Sequence, residues 1–325
     1  MNTLEEIVDV LKDGEFHSGE DLAALLNVSR TTVWARIQKI RKTLNLDIYS
    51  VSGRGYKISR PLILLNKDDI LADLNDKNII NHVDIFSQID STNQFLLDRQ
   101  NVSKKSFDVC LAEMQHNGRG RRGRQWVSPF GQNLYLSLSR NFSLPMQQMS
   151  GISLVAGVCV AKVLEEFGLA EVALKWPNDI HLNDHKIAGL LIEVRGEAEG
   201  PVKVVIGIGV NFSLSSTIRR EIDQQVADIA EFLGAKTPNR NRFVAALLNE
   251  MDNLVNQFVT EGLQPILKEW QKYDRYIHHQ VSIISGENKI DGIYRGLDKT
   301  GSLLLEVNDK VRAFNAGEVS LRKSQ

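Results

Sequence analysis

Residues 1–60 place apolar side chains at a helical period. Leu4, Ile7, Val8 and Leu11 mark one face of a first helix ended by Gly14. Ser18 stands as N-cap for "GEDLAALL", and after the turn "NVS" Ser29 caps "RTTVWARIQKIRKTL". In this third helix Val33, Ile37, Ile40 and Leu44 share a stripe, leaving Thr31, Ala35, Gln38 and Lys42 opposite. "DIYSVSGRGYKIS" predicts a hairpin with Gly53-Arg54-Gly55 at its tip. Past Pro61 and "LILLN" a short helix begins near Lys67. The pattern then changes to strand candidates: "HVDIFSQI", "FDVCLAEMQ", "NLYLSLS", "EVALKW", "KIAGLLIEV" and "VKVVIGIGV", with helical patterns at 93–99 and 152–167. From about Gln280, "VSIISG", "KIDGIYRGLD", "GSLLLEV", "KVRAFNAG" and "EVSLR" read as short strands at close spacing.

These elements predict an α+β multidomain chain. A winged helix-turn-helix spans 1–63, a central mixed α/β domain 67–275, and an SH3-like β-barrel 276–325. Helical patterns are too few for a doubly wound parallel sheet. Hydrophobic residues at 42% and charged residues at 24% describe a globular protein. The formal charge of -1 confines any nucleic-acid contact to a local patch. Such a patch exists: Met1 to Asp21 holds one basic and seven acidic side chains, Leu22 to Arg60 eight basic and one acidic. Ser29, Arg30, Thr31, Thr32, Ala35, Arg36, Gln38 and Lys39 of the third helix, with Arg54 of the wing, are the candidate DNA contacts. The alternative is a three-helix interaction module with a solvated basic face. Cys110 and Cys159 lie in apolar runs and are expected in the core. The acidic, amphipathic N-terminus is no signal peptide, and no apolar run reaches membrane-spanning length, so a reducing cytoplasm and no membrane partner are expected.

The densest chemistry is "GRGRRGRQW", with four arginines and three glycines in residues 118–124. It satisfies G-x-G-x-x-G, but a dinucleotide fingerprint must open a helix, and this one runs into "QWVSPFGQNLYLS". "KWPNDIHLNDHKIAG" adds Lys175, Asn178, Asp179 and Lys186; "IDSTN" adds Ser91, Thr92 and Asn93. Read singly, Asn178-Asp179 equally makes a turn and Ser91-Thr92 equally caps a helix.

Together, "STNQFLLDR", "AEMQHNGRGRRGRQWVSPFGQNLYLSLS", "KWPNDIHLNDHKIAGLLIEV" and "IGIGVN" resemble the biotin–protein ligase family across the whole chain. The helix-turn-helix in front resembles its bifunctional ligase/repressor form. His116 and Asn117 depart from the family pattern, just outside the Gly/Arg core. The resemblance implies ATP-dependent formation of biotinyl-5'-AMP, with magnesium on the leaving pyrophosphate. Transfer to a lysine of the biotin carboxyl carrier protein of acetyl-CoA carboxylase then follows. It also implies operator DNA as partner, biotinyl-5'-AMP as corepressor and a homodimer when that ligand is bound. A ligand that orders residues 116–126 also orders nearby surface, so the exposed strand "AGLLIEV" is expected to pair across the two-fold axis.

Residue by residue, the resemblance puts Ser91, Thr92, Asn93, Gln115, Arg119, Gly120, Arg121 and Lys186 on biotin. Arg121, Arg124, Trp126, Lys175, Asn178, Asn211 and Arg322 fall on ATP, with Asp179 as a candidate metal ligand. Arg121, Lys175, Asp179 and Lys186 are the catalytic set. The chemistry agrees with these residue types. A carboxylate is already ionised at neutral pH, so its attack on a phosphate needs cations rather than a base. A mixed anhydride is quickly lost to water, so a glycine-rich lid has a reason. Asp179 is the side chain expected to take the amine proton in transfer. Trp126 either stacks on adenine or is a core aromatic. A non-catalytic biotin-responsive regulator and a lipoate–protein ligase are the competing functions.

Overall fold

In the computed structural model, which describes residues 3–196, 201–285, 288–315 and 320–323, the N-terminal stripes meet in one small core. Helices α1 (Thr3–Leu11), α2 (Gly19–Leu25) and α3 (Arg30–Leu44) bury Ile7, Leu11, Leu22, Val33, Ile37, Ile40 and Leu44. Ser18 and Ser29 accept from the amides of Asp21 and Thr32, satisfying donors that a helix start leaves orphaned. The antiparallel hairpin of β1 (Ile48–Val51) and β2 (Gly55–Ile58) forms the wing. On α3 the sequence reading missed one exposed residue, Trp34, which is 55% accessible.

Residues 61–66 form no regular element, yet this joint is tightly held. Arg240 donates to the carbonyl of Ile63, and Asn241 exchanges hydrogen bonds with Leu64 and Asn66. The amide of Leu65 donates to Glu113, whose other carboxylate oxygen lies 2.6 Å from Arg240. Leu62, Leu64, Met114 and Phe130 pack into the N-terminal cluster. The composition shift near Pro61 therefore marks a joint held by hydrogen bonds to the buried Glu113 and Arg240. Asn66 then caps α4 (Lys67–Ala72).

The central sheet contains β3 (Ile80–Phe86), β4 (Phe107–Ala112), β5 (Asn133–Phe142), β6 (Val172–Lys175), β7 (Asp179–Leu182), β8 (His185–Arg195) and β9 (Val202–Asn211). Their order is β3-β4-β5-β9-β8-β7-β6, with β3 and β4 parallel and the other pairs antiparallel. Strand alternation splits the faces. Val109, Leu111, Val204 and Ile206 join the main core, whereas Cys110 and Val205 turn to α5 (Thr92–Asp98). Both cysteines are free and buried, as expected.

The main core is covered by α6 (Ile152–Glu166) and by elements the sequence reading left unassigned. After Asn211 come α7 (Ser216–Glu221), α8 (Ile229–Leu233), α9 (Arg240–Glu261) and α10 (Gln264–Tyr273). Helices are thus more numerous than expected, but the sheet they serve is mostly antiparallel. Met146–Glu166 also corrects the reading of apolar runs. By length and hydropathy it could cross a membrane, but 72% of that window is buried inside the protein.

The C-terminal strands β10 (Gln280–Ser285), β11 (Asn288–Leu297), β12 (Leu303–Val307), β13 (Lys310–Phe314) and β14 (Ser320–Lys323) form an antiparallel sheet. Its order is β13-β12-β11-β10-β14, so β13 and β14 are edges and no closed barrel exists among the described residues. Asp274 ties this sheet to the central domain: Tyr294 donates to it at 2.6 Å and the Trp270 indole at 3.3 Å.

Glu113 and Arg240 are each 5% exposed. Glu113→Ala would strand the guanidinium without its countercharge, at an expected cost of about 3–5 kcal/mol. Denaturant unfolding measures this, and a loss below about 1 kcal/mol would contradict the pair's structural role.

Candidate active site

A cavity of about 790 Å³ opens on the α5 side of the sheet. Its floor is made by β5, β8 and β9, where small residues leave room for side chains to lie flat. Asn93 Oδ1 accepts from Ser137 at 2.6 Å, and its Nδ2 donates to the Leu191 carbonyl and to Glu193. A Cβ on Gly207 would stand 2.3 Å from Asn93 Oδ1. Ser91 caps α5 through the Gln94 amide, so the structural reading of this residue holds while it also lines the cavity. Thr92 donates to Gln115 from both its amide and its hydroxyl, at 2.9 and 3.1 Å. Gln115 in turn donates to Ser128.

The arginine stretch is a flap. Gly120 N donates to Arg124 O and Trp126 N to Gly118 O, while Arg119 pairs with Gln125. Arg121–Gly123 makes a single 3₁₀ turn in which Arg122 has φ 58°. No α-helix opens here, in agreement with rejection of the dinucleotide reading. At Gly118 a Cβ would lie 2.5 Å from the Trp126 carbonyl oxygen, so the crossing of the flap's two arms demands glycine. Trp126 covers Gly209, with Lys186 Nζ 5.4 Å from the ring centroid and Nε1 buried without a partner. Arg119 reaches Glu193 at 3.3 Å and Gln94 at 3.2 Å, and Arg121 donates to Asn178 at 3.2 Å. Burial pulls the Arg121 pKa down, opposed by Asp179.

The third wall comes from β6, the following turn and β7. Asn178 bonds Leu190 through both its main-chain carbonyl and its side-chain amide, fixing the turn against β8. Asp179 lies 2.7 Å from Lys186. Burial works to raise the Asp179 carboxyl, but Lys186, His181 and Lys175 outweigh it and hold it below the usual range. Lys175 Nζ lies 5.9 Å from the Tyr276 ring centroid.

The cavity thus brings together Ser91, Thr92, Asn93 and Gln115 with Arg119, Gly120, Arg121, Arg124 and Trp126. Lys175, Asn178, Asp179 and Lys186 line it too. Asn211 stands apart: it is outside the lining, and its amide donates to the Lys186 and Ala227 carbonyls. The backbone of Arg322, in β14, pairs with that of Ser282 in β10, while the Arg322 side chain lies outside the described residues. No group of three His, Cys, Asp or Glu residues suited to a metal occurs among the described residues.

Sequence reasoning missed three neighbours of this set. Ser137 and Glu193 sit inside strands, and only the register of the sheet reveals them. His181 follows Asp179 at strand spacing and also lines the cavity. Burial, then Lys175, pushes its pKa down to about 4. Segment 221–225 forms a further wall, held nearby by Arg219 bound to the Val226 carbonyl, Asp228 and Glu231.

On the N-terminal domain Thr31, Ala35 and Lys39 are exposed, and Gln38 is half-buried. Ser29 and Thr32 share the cap bond, Arg30 pairs with Glu20 at 2.8 Å, and Arg36 NH1 is buried without a partner. Arg54 stacks on Phe16 with its guanidinium carbon 4.0 Å from the ring centroid.

Comparison with known proteins gives the same three-part order. Residues 3–57 match the HTH domain, 85–211 the Biotin/lipoate A/B protein ligase family, and 278–322 the Biotin protein ligase C terminal domain. The bifunctional ligase/repressor BirA of Escherichia coli (strain K12) is 39% identical over 98% of this chain and 97% of its own length. The protein of that name from Bacillus subtilis (strain 168) is 27% identical over 94% of each. A solved biotin protein ligase from Aquifex aeolicus, in complex with biotin and ATP, superposes with a TM-score of 0.64 and 28% identity. It covers 75% of this chain and 100% of that one. With 39% identity over 98% of its length and all three family matches in this order, this chain belongs to the biotin protein ligase family in its bifunctional ligase/repressor form.

Proposed function

We propose that the protein joins biotin to ATP, giving biotinyl-5'-AMP and pyrophosphate, and then passes biotin to a lysine of the biotin carboxyl carrier protein of acetyl-CoA carboxylase. The observation that carries this reading is the convergence of Arg121, Arg124, Lys175 and Lys186 on one cavity beneath a glycine-containing flap. A biotin carboxylate oxygen attacks the α-phosphorus while pyrophosphate leaves with its bonding pair. Those cations offset the charge of one anion meeting another. Ser91, Thr92, Asn93, Gln115 and Arg119 supply donors and acceptors for the ureido head and side chain. Trp126 offers a ring face to adenine. Arg322 completes the ATP set, while Asn211 acts on it only through the backbone around Lys186.

Magnesium enters with the nucleotide. Asp179 already faces Lys186 at 2.7 Å, and no group of three His, Cys, Asp or Glu accompanies it among the described residues, a donor set suited to phosphate-borne magnesium rather than a protein cage. In transfer, Asp179 serves as the anionic acceptor near the incoming amine.

The three units divide as 1–63, 67–275 and 276–325, with the last proposed as an SH3-like fold. Its count and order of strands support that reading. The exposed face of α3 and the wing Arg54 contact operator DNA, where one helix-turn-helix reads only a half-site. Biotinyl-5'-AMP acts as corepressor by favouring a homodimer. The candidate edge is narrower than "AGLLIEV": Ala188 and Gly189 pair with β7, whereas no described strand covers the outer edge of Leu191–Arg195. Buried free thiols at Cys110 and Cys159 fit a reducing cytoplasm.

Four outcomes are expected. Magnesium-dependent exchange of pyrophosphate into ATP should require biotin; exchange with lipoate alone would assign the other substrate, and absence of exchange with either would make the protein a regulator. Lys186→Ala should slow single-turnover adenylation about 100-fold by removing a cation beside the reacting groups. Arg121→Gly should instead release intermediate that labels lysines indiscriminately; unchanged adenylation in the first, or strict carrier selectivity in the second, contradicts the assigned roles. In sedimentation and operator binding, biotinyl-5'-AMP should promote dimerisation and tighten DNA binding together. Either change without the other would break the proposed coupling.

A further inference from the structure

We propose that His181, beside Asp179, forms the subsite that receives the ammonium of the target lysine in the transfer step. The inference rests on the ligase reading and deepens it. Residues i and i+2 of a strand face the same way, so β7 presents Asp179 and His181 together to the cavity. His181 Nδ1 lies 3.1 Å from the Asp184 carbonyl oxygen. A carbonyl only accepts, so that nitrogen carries the proton and Nε2 is left with a lone pair. The residue is 7% exposed, and Nε2 has no hydrogen-bond partner. A buried acceptor without a donor is costly unless something comes to fill it.

The surroundings select the donor. Lys175, Lys186 and Arg121 make this end of the cavity cationic, which suits phosphates in the first step but repels an arriving ammonium. Once pyrophosphate has left, an ammonium needs acceptors. Asp179, shared with Lys186, and the lone pair of His181 are acceptors side by side on this wall. Tyr276 packs edge-on against the imidazole, at 6.4 Å between centroids, and limits its rotation. In the reaction the ammonium gives one proton to Asp179, which passes it on to water, and its nitrogen bonds the acyl carbon. The acyl C–O bond breaks with its electron pair leaving on AMP, and the second proton departs to water from the new amide nitrogen. His181 holds the amine in line for this attack.

The test uses the full-length protein loaded with biotinyl-5'-AMP and compares two nucleophiles, the carrier-domain lysine and hydroxylamine, which is neutral at pH 7 and needs no ammonium subsite. His181→Phe keeps a ring and removes the acceptor; His181→Gln restores an acceptor near the Nε2 position. The ratio of lysine to hydroxylamine transfer should fall about 10- to 100-fold in the phenylalanine variant and recover in part with glutamine. Equal loss towards both nucleophiles, or loss confined to adenylate formation, would make His181 a support for the fold or for Lys175 and overturn the subsite. An unchanged ratio would overturn it as well. Failure of the unaltered protein to form the adenylate would refute the ligase reading itself, a result distinct from any of these.

Discussion

The buried pair of Glu113 and Arg240 sits where three parts of the molecule meet. Glu113 follows β4, directly before the arginine flap, and Arg240 opens α9, the long helix over the main core. Between them they hold the carbonyl of Ile63 and the amide of Leu65, in the joint that carries the helix-turn-helix. A charge pair so removed from water persists only because its remaining donors and acceptors also find partners. The Asn133 carbonyl takes one further guanidinium bond. One polar contact therefore fixes the base of the flap, the end of a central strand and the linker to the DNA-binding unit. Met114 and Phe130, flanking the flap, lie in the apolar core of that unit. The base of the flap and helices α1–α3 thus share one set of contacts.

Within the cavity the arrangement is one of cations held apart and on guard. Arg119 rests on Glu193, Arg121 on Asn178, and Lys186 on Asp179. Each partner comes from β8, β7 or the turn before it, so the sheet sets the spacing of Lys186 and of the two flap arginines. Gly207 and Gly209 permit Asn93 and Trp126 to lie against the floor. Preorganised charge in a partly dehydrated site is what the attack of a carboxylate on a phosphate requires.

Much of this was legible in the chain because it is local. The caps Ser18 and Ser29 and the stripe from Val33 to Leu44 depend on neighbours a few residues away, and they appear in the fold as read. The flap's arginines were legible as a dense cationic stretch, and the structure sets Arg119, Arg121 and Arg124 on the cavity, but their partners were not legible. Asn178 pairs with Arg121 across 57 residues and Glu113 with Arg240 across 127, and no periodicity encodes such contacts. The C-terminal strands were visible by alternation, whereas alternation cannot decide whether β13 and β14 close a barrel. Two further features are local in the chain as well. Phe243, Leu247, Met251, Leu254 and Phe258 carry a helical period in α9, and His181 shares the strand face of Asp179.

The proposed ligase depends on closure of the arginine flap over an acyl-adenylate. Amide hydrogen exchange of residues 115–126 with and without biotinyl-5'-AMP tests it most directly. Exchange there should slow strongly in the complex, while the buried amides of β5 and β9 change little. Unaltered exchange in 115–126 at saturating ligand would contradict the account, because the flap would then take no part in enclosing the intermediate.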